Sequence, residues 1–179
     1  MSTQTFTIGQ PQKEGYTFVG WTSNFSDTPQ MNFEVKEGSF GELKLTAHYV
    51  RNEYSIKYDL DGGEGSFIEY YLTNDLIKLG YPTKTGYSFK GWDDGNHSTP
   101  IKDYVLTHGD LNLKATWEAN KYEIKYDVNG GIVISYPYQT VTYDQSYTPL
   151  TPERVGYNFD GWYLDGVKID PSKYLYTEN

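Results

Sequence analysis

Cysteine is absent from the 179 residues, which excludes disulfide staples, thiolate nucleophiles and thiolate-bound zinc. Histidine is scarce too: His48, His97 and His108 are the only side chains whose ordinary titration falls near neutral pH. No apolar run approaches the ~18 residues that a membrane-spanning helix needs. The opening Met1-Ser2-Thr3-Gln4 has neither the basic nor the apolar region of a secretory signal, so any export signal or anchor is expected outside this chain. Basic charge is in deficit, with 15 Lys and Arg against 24 Asp and Glu and a formal charge of −9. Divided after Arg51 and Ala119, the segments carry −1, −5 and −3, so none offers the cationic face that a phosphate backbone or an anionic membrane requires. No GxSxG, HExxH or phosphate-cradling glycine loop is present, so an enzyme is not expected.

Aromatic residues are abundant: 19 Tyr, 8 Phe and 4 Trp supply enough apolar surface to offset the ordering entropy of the backbone. They are periodic. Gly15-Tyr16-Thr17-Phe18-Val19-Gly20-Trp21 returns as Gly86-Tyr87-Ser88-Phe89-Lys90-Gly91-Trp92 and again as Gly156-Tyr157-Asn158-Phe159-Asp160-Gly161-Trp162, at spacings of 71 and 70. The segment Tyr54 to Gly63 (YSIKYDLDGG) returns 68 residues later as Tyr122 to Gly131, and Leu43 to Tyr49 (LKLTAHY) returns 68 residues later as Leu111 to Trp117. Three motifs in one order and one period mark a tandem array of a unit of about 70 residues, present about two and a half times.

Each motif alternates, as a strand with one buried face does. Tyr54, Ile56, Tyr58 and Leu60 oppose Ser55, Lys57 and Asp59, while Leu111, Leu113, Ala115 and Trp117 oppose Asn112, Lys114 and Thr116. In GYxFxGW the Trp falls on the wrong side of the strand unless its second Gly marks a bulge. Phe67 to Leu79 has helix-like i+4 spacing, but the equivalent Tyr138 to Tyr143 is β-branched and alternating, so both are read as strands ended by Pro82 and Pro152. The stretches Thr22–Glu42 and Asp93–Asp110 differ in length and sequence and are the places for a short helix or a variable loop. The expected organisation is 1–51, a partial repeat lacking its opening strand; 52–119, a complete repeat; and 120–179, a partial repeat lacking its closing strand. The joins Val50-Arg51-Asn52-Glu53 and Glu118-Ala119-Asn120-Lys121 are short and polar, which predicts beads with small interfaces.

Candidate chemistry is thin. The three histidines read as solvated surface residues. Asp93, Asp94 and Asn96 around Gly95 hold oxygen ligands, yet they lack the alternating spacing and the terminal Glu of a calcium loop, so a turn is the simpler reading. Asp59, Asp61, Asp127 and Asn129 stand before Gly-Gly pairs and read as turn formers. No metal or cofactor is expected. The recurring Tyr16, Phe18, Tyr87, Phe89, Tyr157 and Phe159 read as core. Phe25, Phe33, Tyr70, Tyr71, Tyr136 and Tyr138 fall outside the shared pattern and are the candidate binding residues, because an exposed amphipathic ring suits a sugar or a protein partner.

The conjunction of YxIKYDxxGG, a Pro break, GYxFxGW and LxLxAxW resembles the Listeria–Bacteroides repeat, the B-repeat of the internalin surface proteins. The resemblance covers Thr5 to Asn179, with Asp93-Asp94 where an aromatic often follows Gly-Trp and Tyr49 in place of the closing Trp. It implies a small β-grasp-like, ubiquitin-like unit and an α+β or mostly β class. It also implies an extracellular, cell-surface location, a stalk and adhesion role, and a host or neighbouring-cell protein or glycan as partner. The rival function is a carbohydrate- or mucin-binding module. In a β-grasp unit the opening and closing strands lie side by side, so the lone closing strand Leu43–Tyr49 and the lone opening strand Tyr122–Val128 are complementary. That raises head-to-tail self-association as an expectation, a piece of a longer array with frayed ends being the plainer alternative.

Overall fold

The computed structural model describes residues 2–105 and 108–173. Among these the chain is mostly β, with strands β1 Phe6–Ile8, β2 Tyr16–Ser23, β3 Ser26–Gln30, β4 Phe33–Val35, β5 Leu45–Arg51, β6 Glu53–Asp59, β7 Tyr70–Leu72 and β8 Leu76–Ile77. They continue as β9 Tyr87–Asp93, β10 Tyr104–Val105, β11 Leu111–Ala119, β12 Lys121–Lys125, β13 Tyr138–Thr142, β14 Trp162–Leu164 and β15 Val167–Ile169, before one 3-10 turn at Pro171–Lys173. No α-helix occurs among the described residues, so Thr22–Glu42 carries β3 and β4, and Asp93–Asp110 carries β10, where a short helix was one expectation. Pro29 inside the first stretch, and side chains of Asp93 and Asp94 that bind the backbone of Gly95 to His97 in the second, favour turns and extended chain over helix.

The chain divides into two compact units, one of Met1–Asp59, Ser66–Gly80 and Asp93–Lys114, the other of Leu60–Gly65, Tyr81–Trp92 and Ala115–Asn179. In the first unit β1 pairs antiparallel with β4, and β2 lies between β3 and β5. There β6 pairs antiparallel with β7 and parallel with the start of β11, in the register Ile56 to Leu111 through Asp59 to Lys114. The buried apolar side chains of this unit include Phe18, Ile56, Tyr71, Leu79 and Leu113, and Thr73 is buried as well. In the second unit the rest of β11 neighbours β9, β12 pairs antiparallel with β13, and β14 with β15. Its buried residues include Trp92, Ala115, Tyr126 and Val141, with Trp92 at 0% exposure. Opening and closing strands of the middle repeat, β6 and β11, are therefore direct parallel neighbours, while β5 and β12 each have a strand on one side only among the described residues.

The alternation holds along these strands: Leu113 and Ala115 are buried between exposed Asn112 and Lys114, and Ile56 is buried beside exposed Lys57. Tyr58, Tyr87, Phe89, Leu111 and Trp117 are half-buried, so the recurring apolar face is real but shallow at its margins. The third copy departs from this. Tyr157 and Phe159 are exposed, because no described strand pairs along that motif before Trp162.

The second Gly of GYxFxGW does mark a bulge. In β2 the register with β5 slips between Phe18, opposite Tyr49, and Gly20, opposite His48. Gly20, Gly91 and Gly161 share φ values of +138°, +139° and +145°, a region closed to other residues. The extra residue rotates the Trp back to the face of the Phe three positions earlier. Phe18–Trp21, Phe89–Trp92 and Phe159–Trp162 meet edge to face with centroids 5.4, 5.2 and 5.3 Å apart. The indole N–H then ties down the segment before the proline: Trp21 donates to the Gly9 carbonyl at 3.2 Å and Trp162 to the Leu150 carbonyl at 2.9 Å. Each acceptor lies two residues before a Pro.

Gly20→Ala tests the bulge. A Cβ there would stand 2.8 Å from the Gln30 amide nitrogen in addition to the φ strain, whereas at Gly9 it meets nothing within 4 Å. Urea unfolding of the first repeat should lose about 1–3 kcal/mol in Gly20→Ala and stay within about 0.5 kcal/mol of wild type in Gly9→Ala.

Candidate functional site

The non-recurring aromatics separate into three places. Phe25 and Phe33 come together in the first unit, on the wall of an apolar groove of about 900 Å³ shared with Phe6, Ile8, Phe40 and Leu43. Phe25 is 77% exposed, and Phe33 is half-buried because it pairs in β4 with Ile8 of β1. Tyr70 and Tyr71 are neighbours on opposite faces of β7. Tyr70 is exposed, but Tyr71 is 3% exposed, packed on Tyr54 with its hydroxyl donating to the Gly109 carbonyl. That placement removes Tyr71 from the candidate binding residues: strand alternation turned it into the core.

Tyr136 and Tyr138 form the best-defined exposed pair. Their rings stack 5.4 Å apart with 19° between planes, at 71% and 47% exposure, and Ile134 beside them is fully exposed. Pro137 between them aims both rings to one side, since the Tyr126 amide donates to its carbonyl at 2.7 Å and holds the backbone. Gln139 locks the base of the platform by accepting from the Tyr126 hydroxyl at 3.0 Å and donating to the Thr148 carbonyl at 3.0 Å. Such a flat, fixed aromatic pair costs little conformational entropy when a planar or apolar partner settles on it.

The polar candidates are structural. His48 Nε2 is 2.7 Å from the Thr22 hydroxyl across β2 and β5, half-buried in place of the solvated position its strand face suggested. His97 Nδ1 lies 2.9 Å from an Asp94 carboxylate oxygen, and His108 Nε2 lies 2.8 Å from Glu14. The Asp93 and Asp94 carboxylates serve the turn at Gly95, with Gly95 N–H donating to Asp93 at 2.8 Å and the amides of Asn96 and His97 to Asp94 at 3.0 Å, while the Asn96 side-chain amide donates to the Asp94 carbonyl at 3.2 Å. Asp61-Gly62 and Asn129-Gly130 have successive positive φ values of 49° and 82°, and 43° and 77°, the geometry of type I′ turns. The turn reading of those residues therefore stands.

Sequence reasoning overlooked two devices. Asp165-Gly166, with φ of 50° and 80°, is a two-residue hairpin turn joining β14 to β15, and a lone Asp-Gly between apolar residues was the available signal. The second is a cation set three residues before each GYxF tyrosine. Lys13 sits 3.9 Å above the Tyr16 ring, Lys84 4.6 Å above Tyr87 and Arg154 4.2 Å above Tyr157. In each case the tyrosine amide donates back to the cationic residue's carbonyl at 3.0 Å, a type II turn with Gly15, Gly86 or Gly156 supplying the positive φ. An exposed cation on a ring contributes about 0.5–1 kcal/mol.

The profile of the Listeria-Bacteroides repeat domain matches residues 2–48, 54–116 and 122–179. The chain belongs to the Listeria–Bacteroides repeat family. Within it, this chain is 33% identical over 158 residues to a protein of Evansella cellulosilytica whose given name is "Putative Gly-rich membrane protein", covering 87% of this chain and 18% of that protein. It is 29% identical over 113 residues to Internalin H of Listeria monocytogenes, covering 62% of this chain and 20% of that protein. The chain thus spans about a fifth of the length of these relatives. No solved structure matches it. No helix among the described residues is long and apolar enough to cross a membrane.

One carboxylate beside the first repeat join gives a pH signature. Asp75 accepts from the Leu72 amide at 2.9 Å and from Arg51 at 2.5 Å, and these bonds, the backbone one first, hold its pKa below the ordinary carboxyl value. A folded pKa below the unfolded one gives stability that is present above the unfolded value and lost as the pH falls through the folded one. Wild type should therefore lose its advantage over Asp75→Asn in urea midpoint as the pH drops from about 5 toward about 2. A constant gap across that range would show that Asp75 is not linked to folding.

Proposed function

We propose that this chain is a non-enzymatic stalk or spacer segment of an extracellular, cell-surface bacterial protein, placing other parts of that protein away from the cell and adding adhesion through copy number. One observation carries the reading. Successive repeats are joined by a single residue, Asn52 between β5 and β6 and Asn120 between β11 and β12, so each join leaves almost no slack. A repeat string of this kind is quasi-one-dimensional, with stability set by each unit and its neighbours. The family, and relatives named as an internalin and as a Gly-rich membrane protein, support a surface setting. A β-grasp unit is part of the proposal, supported by the parallel β6–β11 pair flanked by β7 and β9. The experiment uses the whole protein on its own cells. Deleting this segment should reduce attachment, and an unrelated rigid array of equal length in its place should restore most of it, the shortfall being the segment's own adhesive share; no restoration by the equal-length array would overturn the spacer reading.

A glycan- or mucin-binding role is the second reading, favoured by the stacked and exposed Tyr136–Tyr138 pair. Under it, Tyr136→Ala with Tyr138→Ala abolishes a glycan-array signal of the wild-type chain while the near-ultraviolet signature of buried Trp92 is unchanged. Absence of any wild-type signal on sialylated and neutral mucin glycans would remove this reading and leave the spacer intact.

A further inference from the structure

The two joins between repeats are built alike, and the likeness goes beyond their sequence. At the first, the Asn52 amide donates to the Gly15 carbonyl at 3.0 Å, and the Thr17 hydroxyl donates to the Asn52 side-chain oxygen at 2.6 Å. The Asn52 carbonyl in turn accepts from the Thr73 amide at 3.0 Å. At the second, the Asn120 amide donates to the Gly86 carbonyl at 2.9 Å, and the Ser88 hydroxyl donates to the Asn120 side-chain oxygen at 2.6 Å. The Asn120 carbonyl accepts from the Tyr143 amide at 2.8 Å. One asparagine thus bonds backward, by backbone and side chain, to the GYxF strand of the preceding repeat, and forward to the turn after the second strand of the repeat it opens.

Both turns present the same shape to it. Asn74 and Asp144 follow the bonded amides and take φ of 65° and 58°, the left-handed region that Asn and Asp tolerate best among side-chain-bearing residues. Each also reaches the tyrosine of the preceding repeat. Asn74 donates to the Tyr16 hydroxyl at 2.9 Å, whereas the Tyr87 hydroxyl donates to the Asp144 carboxylate at 3.2 Å. The direction of that bond is reversed and the contact kept. Packing closes the join as well: a Cβ on Gly15 would stand 2.6 Å from the Thr73 methyl, a Cβ on Gly86 would strike the Tyr143 ring, and the Tyr87 and Tyr143 rings meet edge to face at 5.4 Å. The third GYxF motif is an internal contrast. Gly156 keeps its φ of +79°, yet a Cβ there meets nothing within 4 Å. The tight approach at Gly15 and Gly86 is therefore a property of the join and not of the motif's own turn.

We propose that Asn52 and Asn120 are locking residues: each fixes the orientation of one repeat against the next, with Gly-Tyr-Thr/Ser of the preceding repeat as the socket. The inference goes beyond the spacer role and does not depend on it, because a short linker alone sets length but not angle. An asparagine satisfies both backbone directions and still has an amide oxygen to accept the Thr or Ser hydroxyl, which alanine cannot do. Arg51 reinforces the first lock through the Thr73 carbonyl at 3.3 Å and Asp75 at 2.5 Å.

The chain's lack of cysteine makes the test direct. Spin labels on single cysteines introduced at Thr28 in the first repeat and Lys57 in the second, both exposed, report the distance distribution across the first join by pulsed electron resonance. Wild type should give one narrow distribution, and Asn52→Ala a broadened one. Amide exchange at Thr73 should quicken by about 5–10-fold, while Leu113 in the core keeps its protection. Thr17→Val removes only the hydroxyl donor and should produce the same change in weaker form; it also serves if Asn52→Ala does not fold. A broad distribution in wild type, or an unchanged width and unchanged Thr73 exchange in a folded Asn52→Ala or in Thr17→Val, would overturn the lock. Equal acceleration at Thr73 and Leu113 would also overturn it, since the asparagine would then act on global stability alone. Loss of attachment in the whole-protein replacement would leave these readouts untouched.

Discussion

The edge-to-face contact between the Phe and the Trp of GYxFxGW organises each repeat, and it exists only because glycine lets the strand slip by one residue between them. Without the slip, residues three apart on a strand point to opposite faces, and the indole would be carried to solvent. With it, Trp92 becomes a fully buried side chain and Trp21 and Trp162 reach back to carbonyls of the segment before the proline. Glycine at φ near +140° is intrinsically a weak point, since it gives up more chain entropy than any other residue on folding. The return is a large aromatic core contact, and Trp or Phe truncation at such a site costs about 3–5 kcal/mol. For units near 70 residues, where burial is limited by surface-to-volume ratio, that exchange is favourable.

The other left-handed residues follow from the same economy. Chain reversals at Asp61-Gly62, Asn129-Gly130 and Asp165-Gly166 use two residues each, and the turns before each GYxF motif use one glycine and a cation laid over the tyrosine. Short reversals spend few residues on each turn. Small apolar cores are thus supported by many local polar contacts, each modest and largely exposed, in place of the disulfides that a chain without cysteine cannot form.

Periodicity made most of this architecture legible. The alternation in YxIKYD and LxLxAxW gives the correct faces for β6 and β11, and the misplaced Trp in GYxFxGW by itself points to the bulge. What could not be read came from partners distant in sequence. Tyr71 looked like a free aromatic because its repeat counterpart is Val141, yet both occupy the same buried position in β7 and β13, and size differs where burial does not. Tyr157 and Phe159 matched Tyr87 and Phe89 residue for residue but are exposed, since their burial depends on a neighbouring strand and not on the motif itself. Asn52 and Asn120 passed as polar linker residues because a side-chain hydrogen bond to a hydroxyl 35 or 32 positions away leaves no mark on local pattern.

Those three cases share a cause that bears on how repeat arrays of this kind change. A motif specifies its own turn and face, but burial of its aromatics and closure of its joins are supplied by the strand that follows and by the next unit. Substitution at Phe18 or Phe89 is therefore felt through the closing strand, with Tyr49 and Trp117 as their ring partners. Substitution at Gly15 or Gly86 is felt through the turn of the next repeat. The exposed Tyr136–Tyr138 pair answers to neither demand. It stands where the chain enters β13, with both rings largely exposed, so its rings are free to differ from copy to copy, and that freedom lets one unit of an array carry a surface its siblings lack.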